Sequence, residues 1–296
     1  MLTHVSSHPQ NPSRVVVLGS GGFLGRRLCK RLTADRITTL AVGSRDIDLT
    51  ESTAGMRLRE ALQPTDAVVF LSAITPDKGR DSSILMRNLS MARNVCEAAR
   101  GARVSHMIYA SSDAVYSFDQ DNISEVTPAA PTDLYGAMHR TRELMLASEA
   151  QVPLANLRLT GVYGAGDTHN SYGPNRFIQQ ALREGRIAIF GNGEETRDHL
   201  YVEDVVALMA QVLLHRSTGL LNLASGQSVS FRDAAEQIVA HAGQPVELQY
   251  STRQNPVTHR QFDIASLKRA FPDLHLTSFP EGLRNTVAEM RAQSGG

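Results

Sequence analysis

RVVVLGSGGFLG, residues 14–25, is the stretch whose reading decides the fold. Val15 to Leu18 are four consecutive apolar residues, the pattern of a strand buried on both faces. Gly19, Gly22 and Gly25 follow, and FLGRRLCKRL continues with apolar residues at helical spacing. Strand, glycine-rich turn and helix in this order read as a dinucleotide site. The glycines permit a tight turn and let the backbone approach a pyrophosphate, and the new helix aims its free N–H groups and positive dipole end at the anion. The common G-x-G-x-x-G spacing would put its third glycine at position 24, which is Leu24; the spacing present is G-x-x-G-x-x-G. A glycine-rich turn without a ligand can carry the same letters, and it is the strand before and the helix after that favour a nucleotide.

The rest of the chain bounds the class. Its 296 residues, 42% hydrophobic and 20% charged, suffice for one large core and a smaller one. Lys plus Arg equals Asp plus Glu, so the formal net charge is zero and neither nucleic acid nor a membrane is an expected partner. The longest apolar run, near Ala67–Ile74, falls far short of the about 20 residues that span a bilayer. The first 13 residues, MLTHVSSHPQNPS, lack the basic and apolar regions of a secretory signal and read as a flexible tail. Cys29 and Cys96 are the only cysteines and fall in predicted helices. A disulfide framework is therefore not expected, and a reducing cytoplasmic setting is. The ten histidines are scattered without metal-ligand spacing, so no metal is expected.

In chain order, ITTLAVGSR (37–45) reads as the second strand. No acidic residue stands at its immediate end to take the ribose 2′-hydroxyl of NAD; Ser44 and Arg45 stand there, before Asp46. A small polar residue with an arginine suits a 2′-phosphate, which favours NADP, while a solvated loop arginine is the plainer reading. A strand at Ala67–Leu71, a helix over 81–100 and a strand over 106–116 follow. A helix over 132–150, capped by Thr132 or Asp133, and a strand over 153–164 come next. Strands alternating with helices predict an α/β fold with a doubly wound parallel sheet. From Gly166 the pattern shifts to a Gly/Asn/Ser/Pro-rich loop, shorter strands and helices, and a last helix near Pro280–Met290. No repeat or flexible linker separates the two parts, so the second domain reads as interleaved with the first.

Chemistry is expected at Ser112, Tyr135 and His139. Ser112 stands where a central strand ends, the place where open α/β sheets bind ligands. Tyr135 and His139 are four residues apart and share one helix face. A tyrosine with a lowered phenol pKa can exchange a proton with an alcohol while a nicotinamide takes or gives hydride, and a serine hydroxyl can hold the same oxygen. A helix with one buried tyrosine and one surface histidine fits the same letters.

The chain resembles the extended short-chain dehydrogenase/reductases of the nucleotide-sugar epimerase/dehydratase family from about residue 14 to 275. The matching pieces are GSGGFLG (19–25), Asp48-Leu49, LSA (71–73), Asn88, SSDAVYS (111–117) and YGAMH (135–139). They continue with LRLTGVYGAGD (157–167), GNGEETRDHLYVEDV (191–205) and NLASGQSVSF (222–231). The resemblance implies a Rossmann-like cofactor domain over 14–165, with 197–223 returning to it. It also implies a smaller substrate domain over 166–196 and 224–296 that holds a nucleoside diphosphate sugar. By the same resemblance Gly19, Gly22, Phe23, Leu24 and Gly25 contact the pyrophosphate, Asp48 takes the adenine amino group beside Leu49, and Leu71, Ser72 and Ala73 pass under the cofactor. Ser112 and Tyr135 are the catalytic pair, Arg197 and Arg260 hold the diphosphate, and Asn175 lies near it. Paired helices over about 84–100 and 133–150 imply a homodimer.

One departure bears on activity. The family pattern is Tyr-x-x-x-Lys, and position 139 is His139. A neutral imidazole can bond a ribose hydroxyl as the lysine would, but it stabilises a phenolate less. The dehydratases of the family carry Asp-Glu after the serine; here Asp113 is followed by Ala114. The 3,5-epimerase/reductases place a cysteine at the position of Ala114 and a histidine further on, near which His169 falls. Asp113 is either an extra general acid or a partner of the turn. A 4-epimerase or 4-keto reductase using NADP or NAD is the expectation, with a catalytically impaired cofactor-binding sensor or scaffold as the alternative.

Overall fold

β1 (Arg14–Leu18) lies inside a six-stranded sheet of the computed structural model, which describes residues 1–167, 169 and 172–294. Its Val15–Leu18 are wholly buried, as four apolar residues in a row require. The neighbours are β2 (Thr39–Val42), β3 (Asp66–Phe70), β4 (His106–Ser112), β6 (Leu154–Leu159) and β10 (Gly219–Leu223), in the order β10-β6-β4-β3-β1-β2. Every pairing is parallel. Between β4 and β6 the chain adds a two-residue strand, β5 (Asn122–Ile123). The order reverses beside β1, so β1 and β3 end at a switch point where ligands bind. This is the doubly wound, Rossmann-like α/β sheet that the sequence predicts.

Helices cover both faces. α1 (Phe23–Ala34) and α6 (Val202–Leu214) pack on one, and α2 (Ala54–Ala61), α3 (Ser82–Ala102) and α4 (Leu134–Met145) on the other. The capping chemistry follows the sequence: Asp81 accepts from the Ser83 and Ile84 N–H groups at the head of α3, and Asp133 accepts from Gly136 N at the head of α4. The helix expected through residue 150 stops as an α-helix at Met145 and closes with a π-turn, Leu146–Ala150. No helix among the described residues is long and apolar enough to cross a membrane.

The strand expected over 153–164 breaks at Thr160. β7 (Gly161–Tyr163) leaves the main sheet and pairs with β9 (Thr196–Tyr201), which also pairs with β11 (Ser228–Ser230). Within 197–223, β9 pairs outside the main sheet, α6 packs on that sheet and β10 joins it. Thr160 explains the break: its N–H and hydroxyl turn to Leu223 O, and the hydroxyl also meets Asp198 Oδ1. Asp198 in turn accepts from the Ser225 and Gly226 N–H groups. The smaller lobe adds α5 (Pro174–Glu184), β8 (Arg186–Phe190), α7 (Phe231–His241) and β12 (Glu247–Ser251). Phe177, Phe231, Phe279 and Ile238 centre its core. β13 (Gln261–Phe262) reaches back to pair with β5. α8 (Ala265–Ala270) belongs with the main sheet, because Leu267 and Phe271 sit in the core of α6 and β10. α9 (Phe279–Ser294) closes the smaller lobe.

The flexible tail expected over 1–13 is instead docked. Thr3 exchanges backbone hydrogen bonds with Thr218, and Ser6 and Gln10 donate to His215 O and Leu214 O. His4 lies between Ser217 Oγ, 2.7 Å away, and Ala270 O, 2.8 Å away, and stacks on His215. Backbone hydrogen bonds along the segment and the bonds and ring stacking of His4 hold a stretch whose composition reads as a loop.

Candidate active site

The glycine turn between β1 and α1 is shaped for a close ligand. Gly19 has φ +91°, and a Cβ there would lie 2.9 Å from Ser72 N. A Cβ at Gly25 would lie 2.2 Å from Gly19 O, whereas one at Gly21 would meet nothing within 4 Å. Gly22 stands at the N-cap of α1 with no side-chain cap, and the first turn, with Phe23 and Leu24, carries no acidic residue. Uncapped N–H groups and no local anion are what a pyrophosphate needs.

The expected cofactor residues lie on the segments that follow β1, β2 and β3. Ser44 and Arg45 are exposed at the end of β2. Arg45 makes no hydrogen bond or ion pair among the described residues, while Asp46 accepts from Gly43 N. Asp48 accepts from Thr50 N at 2.9 Å and Thr50 Oγ1 at 2.8 Å, which holds its carboxyl below the usual range; Leu49 beside it is buried. Leu71-Ser72-Ala73 continue β3 as a floor. Asn88 brackets Ile74, its amide accepting from Ile74 N and donating to Ile74 O.

β4 delivers Ser112 to the edge of the sheet, and a short 3-10 turn, Asp113–Val115, follows. Gly136 lets α4 press against that turn: a Cβ there would sit 2.0 Å from Ala114 O. This contact holds the head of α4, with Tyr135, against the turn that carries Asp113. Ser112 Oγ accepts from Ala114 N at 3.1 Å and donates to Asp113 Oδ1 at 3.3 Å. The half-buried Tyr135 hydroxyl makes no hydrogen bond among the described residues. Tyr135 lines a cleft together with Ile74, Ile84, Leu85 and Met138. Burial, and after it the Asp113 carboxylate, push its phenol up to about 12; Asp133 and Asp77 act in the same direction, Arg142 against them.

His139 is not a surface residue. It is 3% exposed, its ring meets Tyr135 edge-on at 4.7 Å, and Nδ1 lies 2.7 Å from the Tyr109 hydroxyl. Burial, then the Arg142 charge, bring its pKa down to about 3, so the imidazole is neutral at pH 7. Nε2 is buried with no hydrogen-bond partner.

Two further residues of α4 escaped the sequence reading. Arg142 is fully buried and reaches Ser72 O at 2.8 Å, Asn88 O at 2.6 and 2.9 Å, and Asn88 Oδ1 at 2.9 Å. Glu143 takes a bidentate pair from Arg158 at 2.7 and 2.8 Å and a hydrogen bond from Ser111 Oγ, tying α4 to β4 and β6. The spacing of Tyr135, His139 and Arg142, at i, i+4 and i+7 on one helix face, is the signal that would have singled out Arg142.

The expected substrate residues already hold protein partners. Asn175 accepts from Gly164 N at 3.0 Å and donates to Asp167 Oδ2 at 2.7 Å. Arg197 donates to Thr196 O, Thr258 O and Thr258 Oγ1 and pairs with Glu195. Arg260, 2% exposed, donates to Asp113 O at 2.8 Å, lies 3.9 Å from the Asp113 carboxylate, and leaves Nε without a partner. Arg260 and Asp113 thus join Ser112 and Tyr135 in one cluster, and both act on the charge of Arg197. His169 pairs with Asp167 at 2.7 Å, which raises its pKa. No group of three or more metal-ligating side chains occurs among the described residues.

Comparisons with known proteins bear on the family and the fold. Residues 15–224 match the model of the NAD dependent epimerase/dehydratase family. An uncharacterised UDP-glucose epimerase of Bacillus subtilis strain 168, YtcB, is 24% identical, with 93% of this chain and 97% of that protein covered. The UDP-glucose 4-epimerase of Thermus thermophilus, solved in complex with NAD, superposes with a TM-score of 0.82 at 22% identity, covering 94% and 99% of the two chains. A GDP-L-fucose synthetase from Naegleria fowleri bound to NADP superposes with a TM-score of 0.86 at 17% identity, covering 99% and 98%. With its glycine turn, its Ser112–Tyr135 edge and a family match over most of its length, the chain belongs to the NAD dependent epimerase/dehydratase family.

Proposed function

We propose that the chain is a nucleotide-sugar 4-epimerase or 4-keto reductase in which Tyr135 passes a proton to or from a sugar oxygen. The observation that supports this reading is that the uncapped glycine turn follows β1 and the turn on which the head of α4, with Tyr135, packs follows β4, at the same carboxyl end of the parallel sheet. A bound nicotinamide supplies the hydride donor or acceptor. The backbone from Gly19 to Gly25 holds the pyrophosphate, Asp48 and Leu49 the adenine end, and Leu71, Ser72 and Ala73 form the floor. Ser112 shares the reacting oxygen with Tyr135, releasing its bond to Asp113 to do so. Arg197 and Arg260 take the diphosphate through their guanidinium forks, with Asn175 holding the loop that faces it. The unpaired Arg45, with Ser44, favours NADP. Exposed Met86, Leu134 and Leu144 on α3 and α4 give a homodimer an apolar face.

The test is incubation of the purified protein with NAD or NADP and a panel of UDP-, GDP- and dTDP-sugars, followed by proton NMR and nicotinamide absorbance. A new epimer without net cofactor change marks an epimerase, and net reduction of NAD or NADP with oxidation of the sugar marks a dehydrogenase, or a reductase run in reverse. Cofactor binding with no conversion of any sugar would overturn the catalytic reading in favour of a non-catalytic sensor or scaffold, which the neutral, buried His139 favours.

A further inference from the structure

A phenol with a reference pKa of about 10 needs a nearby cation to work as an acid and base near neutrality. His139 cannot be that cation: it is buried, its Nδ1 is taken by Tyr109, and no carboxylate bonds it. Arg142 is a cation with no counter-ion. It makes no ion pair among the described residues; its guanidinium meets the carbonyls of Ser72 and Asn88, the Asn88 amide oxygen, the Met91 sulfur and the Tyr109 hydroxyl, none of them an anion. It also lies 4.9 Å over the Phe70 ring. Burying such a charge costs several kcal/mol unless an anion answers it. The carboxylates nearest the Tyr135 phenol, Asp113, Asp133 and Asp77, come from the turn after β4, the cap of α4 and the loop before α3, and all oppose ionisation.

We propose that Arg142, reaching under the floor of the nicotinamide site, is the fixed positive charge toward which the Tyr135 hydroxyl ionises, and that His139 is a neutral hydrogen-bonding group whose tautomer is fixed by Tyr109. The chain of contacts sets the protons. Arg142 faces the Tyr109 hydroxyl and only donates, so Tyr109 donates its own O–H to His139 Nδ1. His139 then carries its proton on Nε2, the buried atom left without a partner. Arg142 touches neither substrate nor cofactor; it acts through the field on Tyr135 and through the position of Ser72, and is a positioning residue. This inference rests on the proposal that Tyr135 is the acid/base.

The test reads ionisation rather than turnover. 3,5-Difluorotyrosine placed at position 135, whose fluorines bring the phenol into the neutral range, is titrated by fluorine NMR in the full-length protein. Arg142→Gln is expected to raise the midpoint by about one pH unit or more, a tenfold change in the ionised ratio. Arg142→Lys should return most of that shift, and His139→Gln should move the midpoint far less. An unchanged midpoint in Arg142→Gln, or an equal shift in His139→Gln, overturns the proposal. Should Arg142→Gln not fold, nitrogen-15 NMR of His139 in the unmodified protein decides. A neutral ring protonated at Nε2 from pH 6 to 8 supports the proposal, and an imidazolium at pH 7 overturns it. A sugar panel that shows no conversion, together with the expected midpoint shift, strikes the functional reading and leaves the role of Arg142 standing.

Discussion

At the scale of single residues the site is decided by where charge is buried. His139 and Arg142 are neighbours on one face of α4, and the charge already present determines what position 139 can hold. His139→Lys, the change toward the family pattern, introduces a second cation beside Arg142 in a place that is 3% exposed. Burial and like charge both lower an ammonium pKa, so the folded value falls below the unfolded value of about 10.4. Between the two values the unfolded chain binds the extra proton. The penalty is therefore complete below the folded pKa and vanishes as pH rises past the unfolded one, at about 1.4 kcal/mol for each pH unit that separates them. Urea unfolding should show this variant less stable than the parent at pH 7 and closer to it at pH 9.5; equal stability at pH 7 would mean that the site is wetter than its burial implies. The spacing in the sequence places Arg142 on the helix face of Tyr135 and His139 but does not show its burial. An arginine in a helix reads as a surface residue by default, and the carbonyls that hold it lie 54 and 70 residues away, which no local pattern encodes.

At the scale of elements the sequence is read well wherever the determinants are local. Four apolar residues specify β1, three glycines specify the turn, and Asp81 and Asp133 mark helix starts, each within a few residues of its effect. The break of the 153–164 strand at Thr160 was illegible because its causes, Asp198 and Leu223, lie 38 and 63 residues on. The glycine turn allows a paired test of how far spacing specifies function. Gly25→Ala forces a methyl to within 2.2 Å of Gly19 O, backbone against backbone, so the turn must open. Gly21→Ala meets nothing within 4 Å. Isothermal titration with NADP and NAD should show at least about a tenfold loss of affinity, about 1.4 kcal/mol, in the first variant and near-parent affinity in the second. Equal losses would mean that the unusual G-x-x-G-x-x-G spacing works through flexibility rather than through close approach.

At the scale of the whole molecule two features join distant parts of the chain. The amino-terminal segment docks beside β10, α6 and α8, and deleting residues 1–10 removes the backbone bonds of Thr3, Ser6 and Gln10 together with the two side-chain bonds and the stacking of His4. A loss of about 2 kcal/mol is expected in denaturant unfolding, and no loss would show that the docking is incidental. The second feature is a set of three buried neutral histidines, one in the main sheet, one in α4 and one in β9. His106 and His199 are brought down to about 4 and His139 to about 3, each chiefly by burial. Their unfolded values lie near 6.5, so on acidification the unfolded chain binds three protons that the folded chain refuses. Stability is retained above about pH 6.5 and falls as pH drops toward 4, each histidine contributing up to about 1.4 kcal/mol per pH unit. His169, raised by Asp167, and the buried Asp198 and Asp204, raised by desolvation, act with the opposite sign and soften the slope. Glu143 and Asp167 are lowered and remain ionised in the folded state through the upper part of that window. His106→Asn isolates one of the three, because an asparagine amide can still donate toward Ser217 O, where His106 Nε2 now lies at 2.7 Å. Urea unfolding at pH 7, 6 and 5 should show a steep loss in the parent and, in the variant, a slope lower by about 1 kcal/mol per pH unit. Parallel slopes would mean that His106 takes up its proton inside the folded protein, and that the main sheet admits water where the structure shows none of its side chain exposed.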